Sequence, residues 1–168
     1  MADISNVQLG VCSVTFNSID LGHTKGGVEV SYEPEYKDVS VDKYGNTVVE
    51  KYLIGEKWTA KVPLAEFTLA NLKVAIPQGT LTGTDSRLTL GINSGQKSTT
   101  DAHELVLHPL AETGLDYDMV FHKAIVASTI TLNHAVDEEK IVEITFEALL
   151  DESKSDGNYL GFIGDSTA

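Results

Sequence analysis

Cysteine, arginine and long apolar runs are almost missing from this 168-residue chain. The single cysteine, Cys12, makes an intramolecular disulfide impossible and excludes the stapled framework of a small secreted protein. Of 12 basic residues only Arg87 is an arginine, and 25 acidic residues leave a formal charge of −13. A groove that tracks phosphates needs clustered Lys and Arg, so a nucleic-acid-binding face is excluded, and an acidic surface repels DNA and anionic lipid. That repulsion suits a surface that DNA must pass without sticking. Aliphatic runs reach about four residues, as in Ala124-Ile125-Val126-Ala127, where a membrane helix needs about 20. No Asn-x-Ser/Thr sequon occurs, and Met1-Ala2-Asp3-Ile4-Ser5-Asn6 has neither a basic nor an apolar leader region. These shortages predict a soluble protein made in a reducing cytoplasm, without membrane insertion.

What is present is a balanced globular composition, 42% hydrophobic with 14 Gly and 4 Pro. The length matches about one domain, and a chain of this size buries roughly 70% of its unfolded surface without staples. We expect a single domain over 1–168, with an N-terminal segment 1–6, a hairpin arm 37–54 and a C-terminal arm 151–168.

Period-two alternation dominates and predicts strands with one face buried. Cys12, Val14 and Phe16 share one face of a strand over 8–16, with Cys12 expected as a small buried hydrophobe. From Gly27 to Tyr36, apolar Val28, Val30, Tyr32, Pro34 and Tyr36 alternate with Glu29, Ser31, Glu33 and Glu35. The phase then flips to Val39 and Val41, which predicts a bulge or bend near Lys37-Asp38. Tyr44-Gly45-Asn46-Thr47 is a turn signal with a return strand over 47–54, so 37–54 reads as a long hairpin arm. Gly55-Glu56 is expected to turn again before Trp58, Ala60 and Val62. Further strands are expected over 87–92, 103–108, 117–127, 128–133 and 140–150. Between Pro63 and Pro77 the spacing of Ala65, Leu69, Leu72 and Ile76 predicts one helix, about 64–76. The apolar tail Tyr159-Leu160-Gly161-Phe162-Ile163 is expected to pack on its own fold or on a neighbour. The fold class is mainly β: an antiparallel β-sandwich or open barrel with one appended helix and a long hairpin arm.

Catalytic and metal chemistry find little support. His23-Thr24-Lys25-Gly26-Gly27 lacks the glycine spacing and the Ser/Thr of a phosphate loop. His103 and His108 fall on opposite strand faces, and His122 and His134 stand alone. The run Asp151 to Gly157 has Asp156 at the sixth position and Phe162 at the twelfth, where a calcium loop wants Gly and Glu. Ser166, beside Asp165, lacks the rigid setting a nucleophile needs. Glu33 and Glu35 lie about 6.5–7 Å apart on strand geometry, a hydrolase-like spacing without a second cluster. We expect no enzymatic activity, no catalytic residues, no metal site and no cofactor.

The stretch His23-Thr24-Lys25-Gly26-Gly27-Val28-Glu29-Val30-Ser31-Tyr32-Glu33-Pro34-Glu35-Tyr36, continued through Val39-Ser40-Val41-Asp42 and Tyr44-Gly45-Asn46-Thr47 to the helix, resembles the major tail tube protein of long-tailed (siphovirus-type) bacteriophages. The resemblance covers roughly residues 20–80. It implies a structural virion protein whose homo-hexameric rings stack into a tail tube. That tube holds a tape-measure protein during assembly, joins tail terminator and distal tail or tail-tip proteins, and conducts double-stranded DNA in transit without specific binding. On this reading, Val39, Val41, Asp42, Tyr44, Gly45, Asn46 and Thr47 form an inter-ring stacking hairpin. Glu29, Glu33 and Glu35 form a lumen-facing acidic strand. Tyr159, Leu160, Phe162 and Ile163 make C-terminal arm contacts. A type VI secretion or other contractile-system tube protein is the nearest alternative. A carbohydrate-binding or adhesion β-module is a second, with Trp58, Tyr32, Tyr36 and Tyr52 as its aromatics.

Overall fold

The structure, a computed structural model, describes residues 10–84, 86–91 and 94–167. The expected N-terminal segment 1–6 lies outside the described residues. Among the described residues, ten strands and one α-helix run in chain order. They are β1 (Cys12–Phe16), β2 (Ile19–Asp20), β3 (Glu29–Ser40), β4 (Val48–Leu64), α1 (Leu69–Ala75), β5 (Thr80–Thr82), β6 (Arg87–Thr89), β7 (His103–Pro109), β8 (Met119–Val126), β9 (Val142–Leu149) and β10 (Gly161–Ile163). Eight of the strands form one antiparallel sheet in the order β2-β1-β7-β8-β9-β4-β3, with β10 also on β8; β5 and β6 make a separate ribbon. The mainly-β architecture with one appended helix is as the alternation predicts.

Alternation builds the core because directly paired residues in an antiparallel sheet share a face. Val14 faces Leu107, Phe16 faces Leu105, and Leu105 faces Phe121. Ala60 faces Phe146, Val62 faces Ile144, and Leu64 faces Val142. All of these side chains are buried. Phe16 and Phe146 stand three strands apart, yet their rings meet at 5.0 Å. Flat strands at about 4.8 Å spacing could not bring them together so closely, so the sheet curls around its apolar face. Cys12, Leu107 and Met119 line the same open cavity as Val28 and Val30. The two ends of the sheet thus approach each other without pairing there, which makes an open barrel. Half-burial pushes the Cys12 thiol up from its ordinary value, which disfavours the thiolate.

Helix α1 packs onto this concave face through Leu72 and Ala75. It is shorter than the expected 64–76. Pro63 and Leu64 belong to β4, opposite Glu143 and Val142, and Ala65 donates its N–H to the His23 carbonyl. The helix starts where Thr68 accepts the Asn71 N–H, and buried Asn71 donates to the Leu21 and Glu66 carbonyls.

Four further expectations are corrected. There is no turn at Gly55-Glu56: β4 runs unbroken through them, because the irregularity is absorbed as bulges. Glu35 faces Gly55 but Tyr36 faces Leu53, leaving Ile54 extra; Val39 faces Glu50 but Ser40 faces Val48, leaving Val49 extra. These bulges bracket the phase flip, but they lie on the return strand. The second correction concerns 128–133, which forms no strand, since the Ser128 hydroxyl accepts the Thr145 N–H that a further rung of the ladder would use. Third, of the expected buried face of β3, only Val28 and Val30 pack on the core. Tyr32, Pro34 and Tyr36 are exposed, because β4 is paired to β9 only from Thr59 onward and the hairpin outruns the sheet. Expected strand 87–92 ends at Thr89, and Ile92 lies outside the described residues.

The C-terminal segment returns to its own fold. β9 leaves β8 at Leu149, and β10 takes the vacated edge, with Gly161 opposite Phe121 and Ile163 opposite Met119. Gly161 is required there: a Cβ would sit 2.0 Å from the Val120 carbonyl oxygen and 2.9 Å from the Trp58 ring. Asp151 pins the connection, accepting from Lys123 Nζ at 2.9 Å, Ser153 Oγ at 2.9 Å and Ser153 N–H at 3.1 Å. These donors, the Lys123 ammonium foremost, hold its carboxyl at about 2. A carboxyl depressed in the fold stabilises above its unfolded value and loses that contribution as pH falls toward the folded one. Thermal melts should therefore show Asp151→Asn costing stability at neutral pH and progressively less between about pH 4 and 2. A difference that is flat across that window would remove Asp151 as the anchor.

Candidate assembly surface

Beyond Trp58 the hairpin of β3 and β4 stands clear of the barrel. Its tip is a 3-10 turn over Asp42–Tyr44, followed by Gly45 at φ 61°, with the Thr47 N–H donating to the Tyr44 carbonyl. Positive φ explains the glycine, and the turn is where the Tyr44-Gly45-Asn46-Thr47 signal placed it. All seven residues expected in the stacking hairpin, Val39, Val41, Asp42, Tyr44, Gly45, Asn46 and Thr47, lie at this distal end.

The arm holds itself together with little. Lys51 and Asp38 pair at 3.0 Å, and the Tyr32 hydroxyl donates to Glu56 at 2.6 Å. Its apolar side chains have no cover. Tyr32, Tyr36 and Leu53 extend the core face into solvent. Tyr52 lies on the opposite face, and Val41, Tyr44, Val48, Val49 and Ile54 are exposed too. The alternation placed Tyr32 and Tyr36 on the buried face of their strand, and the structure leaves both in solvent. Sequence reasoning missed Leu53 and Ile54, whose exposure follows from where β9 stops. Among the described residues no strand pairs with the outer edge of β3, nor with β4 from Val48 to Trp58 on the side away from β3. A two-stranded ribbon is marginal in water by itself, and unpaired edges are templates for another chain.

On the solvent face of the sheet, rows of charge cross β3, β4 and β9. Glu29 stands opposite Lys61, Glu33 opposite Lys57, and the Glu35 side chain lies over Gly55. Lys57 and Lys61 form their ion pairs with Glu147 at 3.4 Å and Glu143 at 3.1 Å. Five carboxylates therefore share this face with three ammonium groups, Lys37, opposite Tyr52, being the third. Exposed pairs of this kind contribute little to stability, about 0–1 kcal/mol each, so the face's importance is its sign.

Of the expected C-terminal contacts, Leu160 packs against the core, Phe162 stacks on His122 at 5.6 Å, and Tyr159 bonds Asp156. Ile163 remains exposed. The histidines weighed as ligands are held apart: His103 sets its edge on Phe16, His108 Nδ1 meets buried Asp118 at 2.6 Å, and His122 meets Asn158 at 3.0 Å. Among the described residues no group of three or more His, Cys, Asp or Glu could hold a metal ion. Among those residues, too, no helix is long and apolar enough to cross a membrane.

At the opposite end of the barrel lies an apolar cavity of about 260 Å³, walled by Phe16, Ala70, Val74, Leu81 and Val126, with Lys73 and Asp101 also in its lining. A scan against protein-family models and a search of curated proteins return no match to this chain.

Proposed function

We propose that the chain is the tube-forming structural protein of a long phage tail, assembling as stacked homo-hexameric rings. The observation that carries this reading is the arm: an overhanging ribbon with apolar side chains on both faces and two unpaired edges. Such a ribbon gains its cover and its missing hydrogen bonds from other copies. The sheet also leaves edges at β2 and β3, which suits side-by-side closure into a ring.

The acidic face fits a conduit. Six copies at −13 each carry −78, and duplex DNA carries one negative charge per ~1.7 Å of axis. A wall bearing Glu29, Glu33 and Glu35 keeps the duplex centred and mobile, where a basic wall would trap it. On this reading the partners are the tape-measure protein, the tail terminator and tail-tip proteins, with DNA passing through, and the protein resides in the virion.

Electron microscopy of the concentrated purified protein tests the proposal. Hollow filaments with a regular axial repeat, their bore lined by the β3 carboxylates, are the expected result. Discrete closed particles, or a bore lined by lysines, would overturn it.

A further inference from the structure

The strand registers fix where the two apolar features of this molecule lie relative to each other. β9 runs from Val142, opposite Leu64, to the neighbourhood of Thr59 and the root of the arm. β8 runs against it and ends at Val126, while β1 ends at Phe16, opposite Leu105. Val126 and Phe16 thus mark the end of the barrel away from the arm. The apolar cavity beneath α1 opens there, and the arm leaves from the other end.

We infer that the arm tip of one copy seats in the α1 cavity of a second copy, head to tail. This deepens the tube reading and rests on it, by naming the surface that receives the arm. The sizes agree. A cavity of roughly 150 Å³ accepts benzene, so about 260 Å³ takes the Tyr44 ring together with an aliphatic neighbour such as Val41. The chemistry agrees as well. The lining is apolar apart from a few groups, among them the Lys73 ammonium and the Asp101 carboxylate. The tip carries one charge of each sign beside its apolar side chains, Asp42 and Lys43. The cavity likewise carries one charge of each sign, Lys73, whose Nζ donates to the Pro77 carbonyl, and Asp101, which accepts from Gln96 Nε2, so each charge of the tip has an opposite counterpart in the lining.

The geometry also decides the kind of assembly. Arm and cavity are different surfaces at opposite ends, so the contact is heterologous and two copies cannot satisfy each other. Every seated arm leaves one empty cavity and one free arm, and the assembly propagates along an axis.

The test is a cross-linking experiment on the full chain. Tyr44→Cys and Ala70→Cys, both at exposed positions, are combined in one molecule and oxidised with copper phenanthroline. With Cys12→Ser in every variant, the double variant should give a ladder of dimers, trimers and higher species on a non-reducing gel, while each single variant, whose new thiol faces no thiol across the contact, stays monomeric. In parallel, Ala70→Glu, which places a carboxylate at the cavity mouth, should raise the concentration needed for multimers at least tenfold in sedimentation. An apolar dye bound by the free subunit should be released on assembly.

If the double variant still forms tubes but gives no ladder beyond dimers, the arm seats elsewhere; this inference falls and the tube reading survives. Unchanged assembly of Ala70→Glu, or dye retained in assembled tubes, overturns it in the same way. If the parent protein forms no multimers under any of these conditions, both readings fall together.

Discussion

Replacing residues 39–50 by Asn-Gly leaves a folded chain that no longer forms tubes. Asp38 and Lys51 face each other across the hairpin, so a two-residue type I′ turn closes the ribbon there without strain. Nothing in the removed segment belongs to the core, and circular dichroism and the melting temperature should match the parent within a few degrees. Assembly is a different matter. The segment carries exposed Val41, Tyr44 and Val48, each worth about 1.5 kcal/mol or more when buried. Losing three of them weakens every arm contact by roughly a thousandfold. Negative-stain micrographs of the shortened protein should show single subunits at concentrations where the parent forms filaments. Tubes of ordinary appearance would remove the arm from assembly.

Phe146→Ala should do the reverse, damaging the subunit before any assembly is possible. Phe146 is fully buried, faces Ala60 on β4, and stacks on Phe16 from the far side of the curled sheet. Truncating a buried phenylalanine costs about 3–5 kcal/mol, because the neighbours collapse only partly into the hole. For a domain of this size that is a fall of roughly 6–20 °C in Tm, measured by calorimetry. Tyr52→Ala, on the arm, should shift Tm by little, since surface substitutions stay within about ±0.5 kcal/mol. Equal shifts for the two variants would mean that the Phe16–Phe146 stack does not organise the core.

These two results separate what stabilises one copy from what joins copies, and the same separation explains how far the sequence could be read. Where alternation meets a partner strand, the reading holds. Val14 and Phe16, Trp58 through Leu64, and Val142 through Ala148 all turn their apolar residues inward. Where the same alternation has no partner, the pattern misleads. Tyr32, Pro34 and Tyr36 have the spacing of Val28 and Val30 and yet stand in solvent, because β9 stops short of them. The helix starts later than its spacing predicts for a similar reason: Ala65 has helical spacing to Leu69 and Leu72, but its N–H goes to the His23 carbonyl, and Leu64 before it pairs with Val142 in the sheet. Gly55 reads locally as a turn and sits in mid-strand, with Glu35 over it.

The candidate surface was legible in part. The turn at the arm tip is written in local chemistry, and the charge of β3 is written in its carboxylates. The α1 cavity was not legible, since its walls come from β1, α1, β5 and β8, far apart along the chain. Nor could the role of Gly161 be seen, which depends on Trp58 and Val120 arriving from other strands.

By itself, then, the sequence determined that this is a single-cysteine, strongly acidic, mainly-β chain with one helix and one long hairpin, because alternation, turn residues and net charge are local or additive properties. Only the tertiary structure decided that the hairpin outruns the sheet, that the tail returns to β8, and that an apolar cavity opens opposite the arm. Each of these depends on which strands stop where, and strand ends are set by pairing between segments that the chain order keeps apart.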